Sequence, residues 1–263
     1  MLTGDDLRPT TRGSTRTVHD VVPGVHLVVH GHTNCYVVED ADGGVTLVDA
    51  AYPGTWALVR RCLGAIGRSA SDVRGLVITH GHFDHVGFAS RLQRSYGVEV
   101  WAPAGDAHIL RHPYRYRPQR PRLAYPLTHP RALPVLAAMV GAGALRVPGL
   151  QPDHLVGGRQ VLDLPGRPEM VPAPGHTDGE VVVHLPDHGA VLTGDALVTL
   201  DPYTGRRGPR VVARAATNDA RTALDSLGAI AALDVAAVLP GHGEPFLKGS
   251  RAAVDLARAA GVA

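Results

Sequence analysis

Three histidines and one aspartate fall within six consecutive positions of the stretch THGHFDHVGF, residues 79–88. They are His80, His82, Asp84 and His85. Imidazole and carboxylate groups are ligands that zinc accepts, and a bound cation offsets the cost of confining such polar groups together. The preceding residues, VRGLVITH at 73–80, are typical of a buried strand. The cluster therefore predicts part of a metal site at a strand end.

The local geometry of this cluster allows ligands to face two directions. Strand residues alternate faces, so His80 and His82 share a face if the chain stays extended through Gly81. Asp84 and His85 follow at the start of a predicted helix over residues 84–97, where aspartate is also a natural N-cap. Two metals would need further histidines and a bridging carboxylate from elsewhere in the chain.

Later parts of the sequence contain such residues in similar surroundings. His176 lies in PAPGHTDGE, Asp195 in VLTGDAL and His242 in VLPGHGEP. Each follows a glycine at or near the end of an apolar run, which lets the backbone turn and leaves the side chain at a sheet edge. Asp49, at the end of VTLVDA, has the same kind of position.

The bulk composition is that of an ordinary globular domain. The chain has 263 residues, 44% hydrophobic and 19% charged, with a formal net charge of +2. This small charge gives no reason to expect nucleic acid or a membrane as a partner. The beginning of the chain lacks an apolar signal-peptide core, and Cys35 and Cys62 fit buried free thiols. We expect a soluble, cytoplasmic protein.

The pattern of elements predicts one main domain. The first half alternates predicted strands (25–29, 35–39, 45–50, 73–80 and 98–103) with helices (55–66 and 84–97). The second half predicts a hairpin at 154–164, three further strands, a helix at 219–233, a strand at 235–242 and a final short helix. We predict a loose segment over residues 1–20 and a single domain over 21–263. A proline- and arginine-rich insertion at about 104–150 interrupts that domain.

The motifs HGHFDH, GHT, GD and PGHG, in this order and at roughly this spacing, resemble those of the metallo-β-lactamase-fold superfamily over about residues 25–245. The resemblance implies an αββα four-layer sandwich, in which two mixed sheets are flanked by helices. It also implies a dinuclear metal site with seven ligands. One metal takes His80, His82 and His176, the other takes Asp84, His85 and His242, and Asp195 bridges both. Asp49 is similar to an aspartate that orients a ligand.

Such a site implies hydrolysis by a hydroxide that two zinc ions share, because zinc lowers the pKa of bound water to about 7. Asp84 and Asp195 are the predicted catalytic carboxylates, and the predicted substrate is a small ester, thioester or lactone. Iron and manganese are alternative metals. Taken singly, each remaining histidine reads as a surface or hydrogen-bonded residue: His19, His26, His30, His32, His108, His112, His129, His154, His184 and His188.

Differences from known branches of this superfamily limit the range of substrates that we expect. Asp195 argues against true β-lactamase activity, since those enzymes typically lack it. The motifs resemble hydroxyacylglutathione hydrolases, but only residues 246–263 follow PGHGEP, where those enzymes carry a helical extension. Lactonases of similar size place a tyrosine close after the bridging aspartate, whereas the nearest tyrosine here is Tyr203.

Specificity is expected in the insertion, because loops over a rigid scaffold usually carry it. We predict substrate contacts by Tyr114 and Arg115, and by Tyr203 and Arg207 in the loop DPYTGRRGP, to a small anionic or aromatic molecule. A solvated arginine-rich surface explains this region equally well. A homodimer is left open.

Three other function classes remain open. One is a single-iron oxygenase of the persulfide dioxygenase kind, which metal identity distinguishes. A phosphodiesterase or nuclease of the same fold is supported only by the arginines and tyrosines of the insertion at about 104–150. A non-catalytic binding module would bind no metal.

Overall fold

Two β-sheets face each other, and helices cover the outer face of each sheet. A computed structural model describes residues 13–122 and 125–263 of the chain. The apolar cluster between the sheets contains side chains from both of them, and a second and a third cluster lie between each sheet and its helices. The predicted αββα sandwich of mixed sheets is confirmed.

The first sheet has seven strands that follow one another in chain order. They are β1 (Thr15–Val22), β2 (Val25–His30), β3 (Thr33–Glu39), β4 (Val45–Val48), β5 (Val73–Val77), β6 (Glu99–Pro103) and β7 (His154–Val156). Strands β1 to β4 pair antiparallel, with a turn at 40–44 joining β3 to β4, and β4 to β7 pair parallel. The carboxyl ends of β4 and β5 therefore meet at one edge.

The second sheet has five strands in the order β14-β11-β10-β9-β8. Their bounds are β8 (Gln160–Val161), β9 (Glu169–Pro172), β10 (Val181–Leu185), β11 (Ala190–Gly194) and β14 (Ala237–Pro240). Strands β11 and β14 pair parallel, so both end at the same edge. A separate antiparallel pair consists of β12 (Val198–Leu200) and β13 (Arg207–Arg210).

Seven α-helices complete the layers of the described ranges. They are α1 (Trp56–Ala65), α2 (Ala89–Tyr96), α3 (Ala107–Arg111), α4 (Tyr125–Thr128), α5 (Leu133–Gly141), α6 (Ala220–Leu233) and α7 (Ser250–Ala260). Helices α1, α2 and α5 pack against the first sheet, and α6 and α7 against the second. None of these helices is long and apolar enough to cross a membrane.

Strand alternation explains how one strand serves two cores. In β3, Tyr36 and Val38 face the opposite sheet, whereas Cys35 and Val37 face the helices. Both faces are buried, which is why the sequence reads as a continuous apolar run rather than an alternating one. Cys35 is a buried free thiol, as is Cys62 in α1.

The loose segment predicted for residues 1–20 is wrong where the structure describes it. Residues 1–12 lie outside the described residues, but β1 occupies Thr15–Val22. Val18, Val21 and Val22 pack against the cluster between the sheets. The sequence pattern does not predict this strand because β1 is an edge strand whose exposed face is polar, so its apolar content is low.

Two other element predictions are also wrong. Residues 154–164 do not form a hairpin, because β7 pairs with β6 in the first sheet and β8 pairs with β9 in the second. Helix α2 begins at Ala89, five residues after Asp84, and Phe88 occupies its N-cap position. Asp84 therefore caps no helix, and its side chain is free to take part in the ligand cluster.

Candidate metal centre

The first four candidate ligands come from the turns between β5 and α2. His80 and His85 are fully inaccessible to solvent, and His82 and Asp84 are 3% and 6% exposed. Close backbone packing holds these turns, since a Cβ on Gly87 would lie 2.3 Å from the carbonyl oxygen of Ala51. Burial of so many polar side chains in one irregular segment requires compensating partners.

The other three ligands follow strands of the second sheet. His176 lies after β9, Asp195 directly after β11 and His242 just after β14. The parallel pairing of β11 with β14 brings Asp195 and His242 to the same edge. The structure thus brings together all seven residues that the motifs identified.

The seven side chains form two adjoining groups. His80, His82 and His176 make one group, and Asp84, His85 and His242 make another, with the ligand atoms of each group within 4.8 Å of one another. Asp195 also forms such a group with His80 and His85. Buried groups of this composition fit divalent metal ions that take nitrogen and oxygen ligands.

Asp195 lies between the two groups. Its Oδ2 is 3.5 Å from His176 Nε2 on one side and 3.3 Å from His242 Nε2 on the other. Its Oδ1 is 3.5 Å from His85 Nε2. One carboxylate therefore reaches ligands of both groups, as a bridging ligand must.

Three histidines are oriented through their Nδ1 atoms. His85 Nδ1 lies 2.8 Å from Asp49 Oδ2, and His242 Nδ1 lies 2.9 Å from the carbonyl oxygen of His32. His80 Nδ1 lies 3.1 Å from the hydroxyl of Thr79. With Nδ1 engaged in this way, the opposite Nε2 is the nitrogen left for a metal.

Unpartnered polar atoms converge on the space between these side chains. Within the described residues, four buried atoms of the ligand groups have no hydrogen-bond partner: Nε2 of His80, His85 and His242, and Oδ1 of Asp195. His82 faces the other ligands with Nδ1, which lies 2.9 Å from His176 Nε2. Buried polar atoms are almost always satisfied in native proteins, so a cluster of unsatisfied nitrogen and oxygen atoms is typical of a site that binds a metal ion. The residues present therefore fit a bound metal pair.

The protonation of the first group favours ligation. Burial and the neighbouring imidazoles hold the pKa of His80 and of His82 well below the usual 6.5, and burial lowers that of His176 to about 4. These three imidazoles are neutral near pH 7, which is the form that binds a metal.

The carboxylates around the second group favour the protonated form of its imidazoles. Although burial acts in the opposite direction, Asp195 and Asp84 raise the pKa of His242 to about 10. Asp49 and Asp195 likewise raise the pKa of His85 well above its usual value against the effect of burial. Positive charge on these imidazoles would balance the buried carboxylates, as a bound metal ion also would.

Two further carboxylates support the ligands from behind. Asp49 Oδ1 accepts hydrogen bonds from the Thr79 backbone N–H and hydroxyl at 2.8 and 3.1 Å, and Asp49 Oδ2 contacts His85. Asp49 therefore contacts both the Thr79 backbone and the imidazole of one ligand, His85. Glu180, which the motifs did not identify, is also fully buried, with Oε1 accepting the Asp195 backbone N–H at 3.0 Å.

Residues 28–242 match the sequence profile described as Metallo-beta-lactamase superfamily. This chain belongs to that superfamily. The match covers every residue of the two ligand groups and both supporting carboxylates.

Individual relatives of the superfamily are distant. "Probable metallo-hydrolase YflN" of Bacillus subtilis is 24% identical over 254 residues, covering 92% of each chain. A "Hydroxyacylglutathione hydrolase" of Anaeromyxobacter dehalogenans is 30% identical over 214 residues, covering 81% of this chain and 62% of its own. This chain spans only 40 to 62% of the length of several curated relatives. A Cronobacter sakazakii metallo-beta-lactamase HARLDQ motif mutant shares the fold, with a TM-score of 0.66, 21% identity and coverage of 93% and 94%.

A cavity of about 460 Å³ opens onto the first ligand group of this metallo-beta-lactamase superfamily member. His82 and His176 line it, together with residues of the 104–150 insertion that include Arg115, Tyr116 and Arg117. The Tyr116 ring packs on the His82 imidazole with centroids 3.9 Å apart. The volume suits a small-molecule substrate.

The predicted substrate contacts divide into two sets. Arg115 lines the cavity, and the Tyr203 hydroxyl lies 3.4 Å from that of Tyr116 beside it. Tyr114 is not among the lining residues, because its hydroxyl donates to the Ala144 carbonyl and accepts the Val147 N–H. Arg207 lies on β13 and is likewise not among them. For these two residues the structure does not support the predicted contact.

Proposed function

We propose that this chain is a hydrolase that uses two metal ions to cleave a small ester, thioester or lactone. His80, His82 and His176 hold one ion in this proposal, and the second ligand group holds the other. The observation that carries the proposal is the position of the Asp195 carboxylate, within 3.5 Å of imidazoles from both groups. A carboxylate so placed is suited to join two ions into one dinuclear centre.

Two ions bound there would lower the pKa of a water molecule and polarise the carbonyl oxygen of a substrate. Asp84, whose Oδ2 lies 3.3 Å from His242 Nε2, is the residue that we assign to orient the attacking water and to accept its proton. Tyr116, packed on His82, restricts the approach of substrate to the cavity side. Zinc is the proposed metal, since the ligands are imidazoles and carboxylates.

Several observations support the finer points of the proposal. The hydroxyacylglutathione hydrolase relatives support a thioester or ester, although this chain spans 62% or less of two of them. Several residues between 105 and 117 line the cavity, which supports a role of the 104–150 insertion in substrate binding. In this proposal the insertion belongs to a single domain over residues 21–263. The two buried free cysteines support a cytoplasmic location.

Elemental analysis of protein purified without chelator or added metal tests this function first. We expect about two zinc ions per chain, by analogy with two-metal hydrolases, and hydrolysis of at least one member of an ester, thioester and lactone panel. Asp195→Ala is expected to abolish hydrolysis and lower metal content while circular dichroism stays unchanged. Asp187→Ala, at an exposed site after β10, is the control.

Other results would point to other functions. A single iron per chain with oxygen consumption on persulfides would indicate an oxygenase. Near-normal turnover by Asp195→Ala would contradict the bridged centre. Protein that binds no metal at all would indicate a non-catalytic module.

A further inference from the structure

Two arginines lie at the cavity on either side of an anchored tyrosine. The Tyr116 ring contacts the His82 imidazole, with the two centroids 3.9 Å apart, and the guanidinium of Arg122, whose Cζ lies 4.3 Å from the Tyr116 centroid. Arg115 and Arg117 flank this tyrosine and line the same cavity as His82. Both cationic residues are therefore sequence neighbours of a side chain that contacts the first ligand group, and they share its cavity.

Neither arginine has a carboxylate partner in the part of the chain that the structure describes. Among residues 13–122 and 125–263, no ion pair or side-chain hydrogen bond involves Arg115 or Arg117, and both are exposed. By contrast, Arg16, Arg68 and Arg159 each pair with a glutamate. The two cavity arginines are therefore available to a ligand.

The acidic residues of the same cavity are occupied elsewhere. Asp106 is 1% exposed, and its two oxygens accept bonds from the backbone N–H groups of Gly81 and Gly179 and from the Thr177 hydroxyl. Asp178 accepts a bond from the Asn218 amide at 2.6 Å. With Asp106 buried, the exposed charged side chains of the cavity wall are two arginines and Asp178, which leaves an excess of one positive charge.

The surrounding sequence strengthens this positive character. Residues 107–152 contain seven arginines and no aspartate or glutamate, in a chain whose formal net charge is only +2. An excess of positive charge around a cleft concentrates anionic ligands and speeds their association. Guanidinium groups also match the planar geometry of carboxylates and the oxygens of phosphates.

We propose that Arg115 and Arg117 form a subsite for an anionic group, a carboxylate or a phosphate, on the substrate. The anionic end would lie on the two arginines, and the bond to be hydrolysed would face His82 and His176. This inference rests on the proposed function for the reaction at the metal centre, but the subsite is defined by the arginines alone. The substrate class is then an anionic ester or thioester rather than a neutral one.

A matched pair of esters tests the subsite. 4-Nitrophenyl hexanoate is neutral, and mono-4-nitrophenyl adipate has the same chain length with a terminal carboxylate. We expect the enzyme to prefer the adipate ester in kcat/KM by roughly tenfold or more, mainly through KM, as charge-assisted hydrogen bonds would give. The double variant Arg115→Gln/Arg117→Gln should lose this ratio, and added salt should weaken it in the unmodified enzyme. Arg60→Gln, an exposed arginine on α1, is the control.

A direct binding measurement separates the subsite from the reaction. Isothermal titration of the protein as purified with adipate and with inorganic phosphate should show binding that weakens in the double variant but not in Arg60→Gln. The stronger of the two ligands identifies the anionic group. Equal titrations for the unmodified protein and the double variant, or an unchanged ester ratio, would overturn the subsite while hydrolysis of either ester still supports the proposed function. If neither ester is hydrolysed, the proposed hydrolysis of such esters is contradicted. The titration alone then shows whether the two arginines bind an anionic group.

Discussion

Glu180 Oε2 lies 3.3 Å from His80 Nδ1, on the side of the imidazole opposite the candidate metal position. The same side chain accepts the backbone N–H of Asp195 through Oε1. One fully buried carboxyl group therefore contacts a ligand of the first group and the carboxylate that joins both groups. Burial and the nearby carboxylates of Asp195 and Asp106 raise its pKa well above the usual 4.5. A bound cation would favour its ionised form, which is the form that can accept a hydrogen bond from His80 Nδ1–H.

Glu180→Gln is expected to weaken metal binding at the first group by about 10- to 100-fold, the range typical of residues that orient ligands. The amide keeps the size and can still accept the Asp195 N–H, but its NH₂ opposes the His80 tautomer that leaves Nε2 free. Chelator competition with elemental analysis measures the loss. Glu99→Gln, on the exposed end of β6, should change nothing. Unaltered affinity in Glu180→Gln would show that Glu180 merely fills space.

Asp49→Asn should act on the other group in the same way. Asp49 has a backbone φ of +63°, a region that asparagine tolerates, so the backbone should be preserved. The amide nitrogen would face His85 Nδ1 and favour the tautomer in which Nε2 carries the proton. We expect about a 10- to 100-fold loss of affinity for the second ion, with the first ion retained. Asp42→Asn in the exposed turn is the control, and equal loss of both ions would argue against separate support of the two groups.

The ligand residues could be predicted from the sequence because they follow apolar strands. His176, Asp195 and His242 come after β9, β11 and β14, and the ends of neighbouring strands meet at one sheet edge. Packing of the core does not require a polar residue after a glycine at such a position, so the pattern indicates a functional residue. Local pattern and long-range geometry agree at these positions.

The supporting residues could not be predicted in this way. Glu180 stands just before β10, where an acidic residue usually reads as solvated, and only the pairing of β10 with β11 brings it behind Asp195. The sequence around Asp106 likewise does not indicate its role. Its carboxylate accepts hydrogen bonds from the backbone of Gly81 and Gly179, which are far away in sequence. Contacts between distant segments determine both roles.

Acid sensitivity of the second sheet should depend on Glu169. Arg159 donates to both of its oxygens at 2.7 and 3.0 Å, and these bonds lower the Glu169 pKa from 4.5 to about 2, with burial acting in the opposite direction and His184 adding a bond. A depressed pKa stabilises the fold above pH 4.5, and this contribution is lost as the pH falls toward 2. Because Arg159 is largely exposed, Glu169→Gln should cost about 1 kcal/mol at pH 7. Urea unfolding at several pH values should show that the difference in unfolding free energy between the unmodified protein and Glu169→Gln decreases below pH 4.5. A difference that stays constant with pH would contradict this role of Glu169.

Gly241 sets the spacing between the two strand ends that hold the centre. A Cβ there would lie 2.5 Å from Asp195 Oδ1 and 2.8 Å from His85 Cε1, too close for either to stay in place. Gly241→Ala is therefore expected to lower metal affinity at least tenfold and to destabilise the fold by roughly 1–3 kcal/mol through overpacking. Gly64→Ala is a matched control, because no atom lies within 4 Å of its added methyl group and alanine favours helix α1. If Gly241→Ala bound two ions as tightly as the unmodified protein, Asp195 and His85 would not need their observed positions to hold metal.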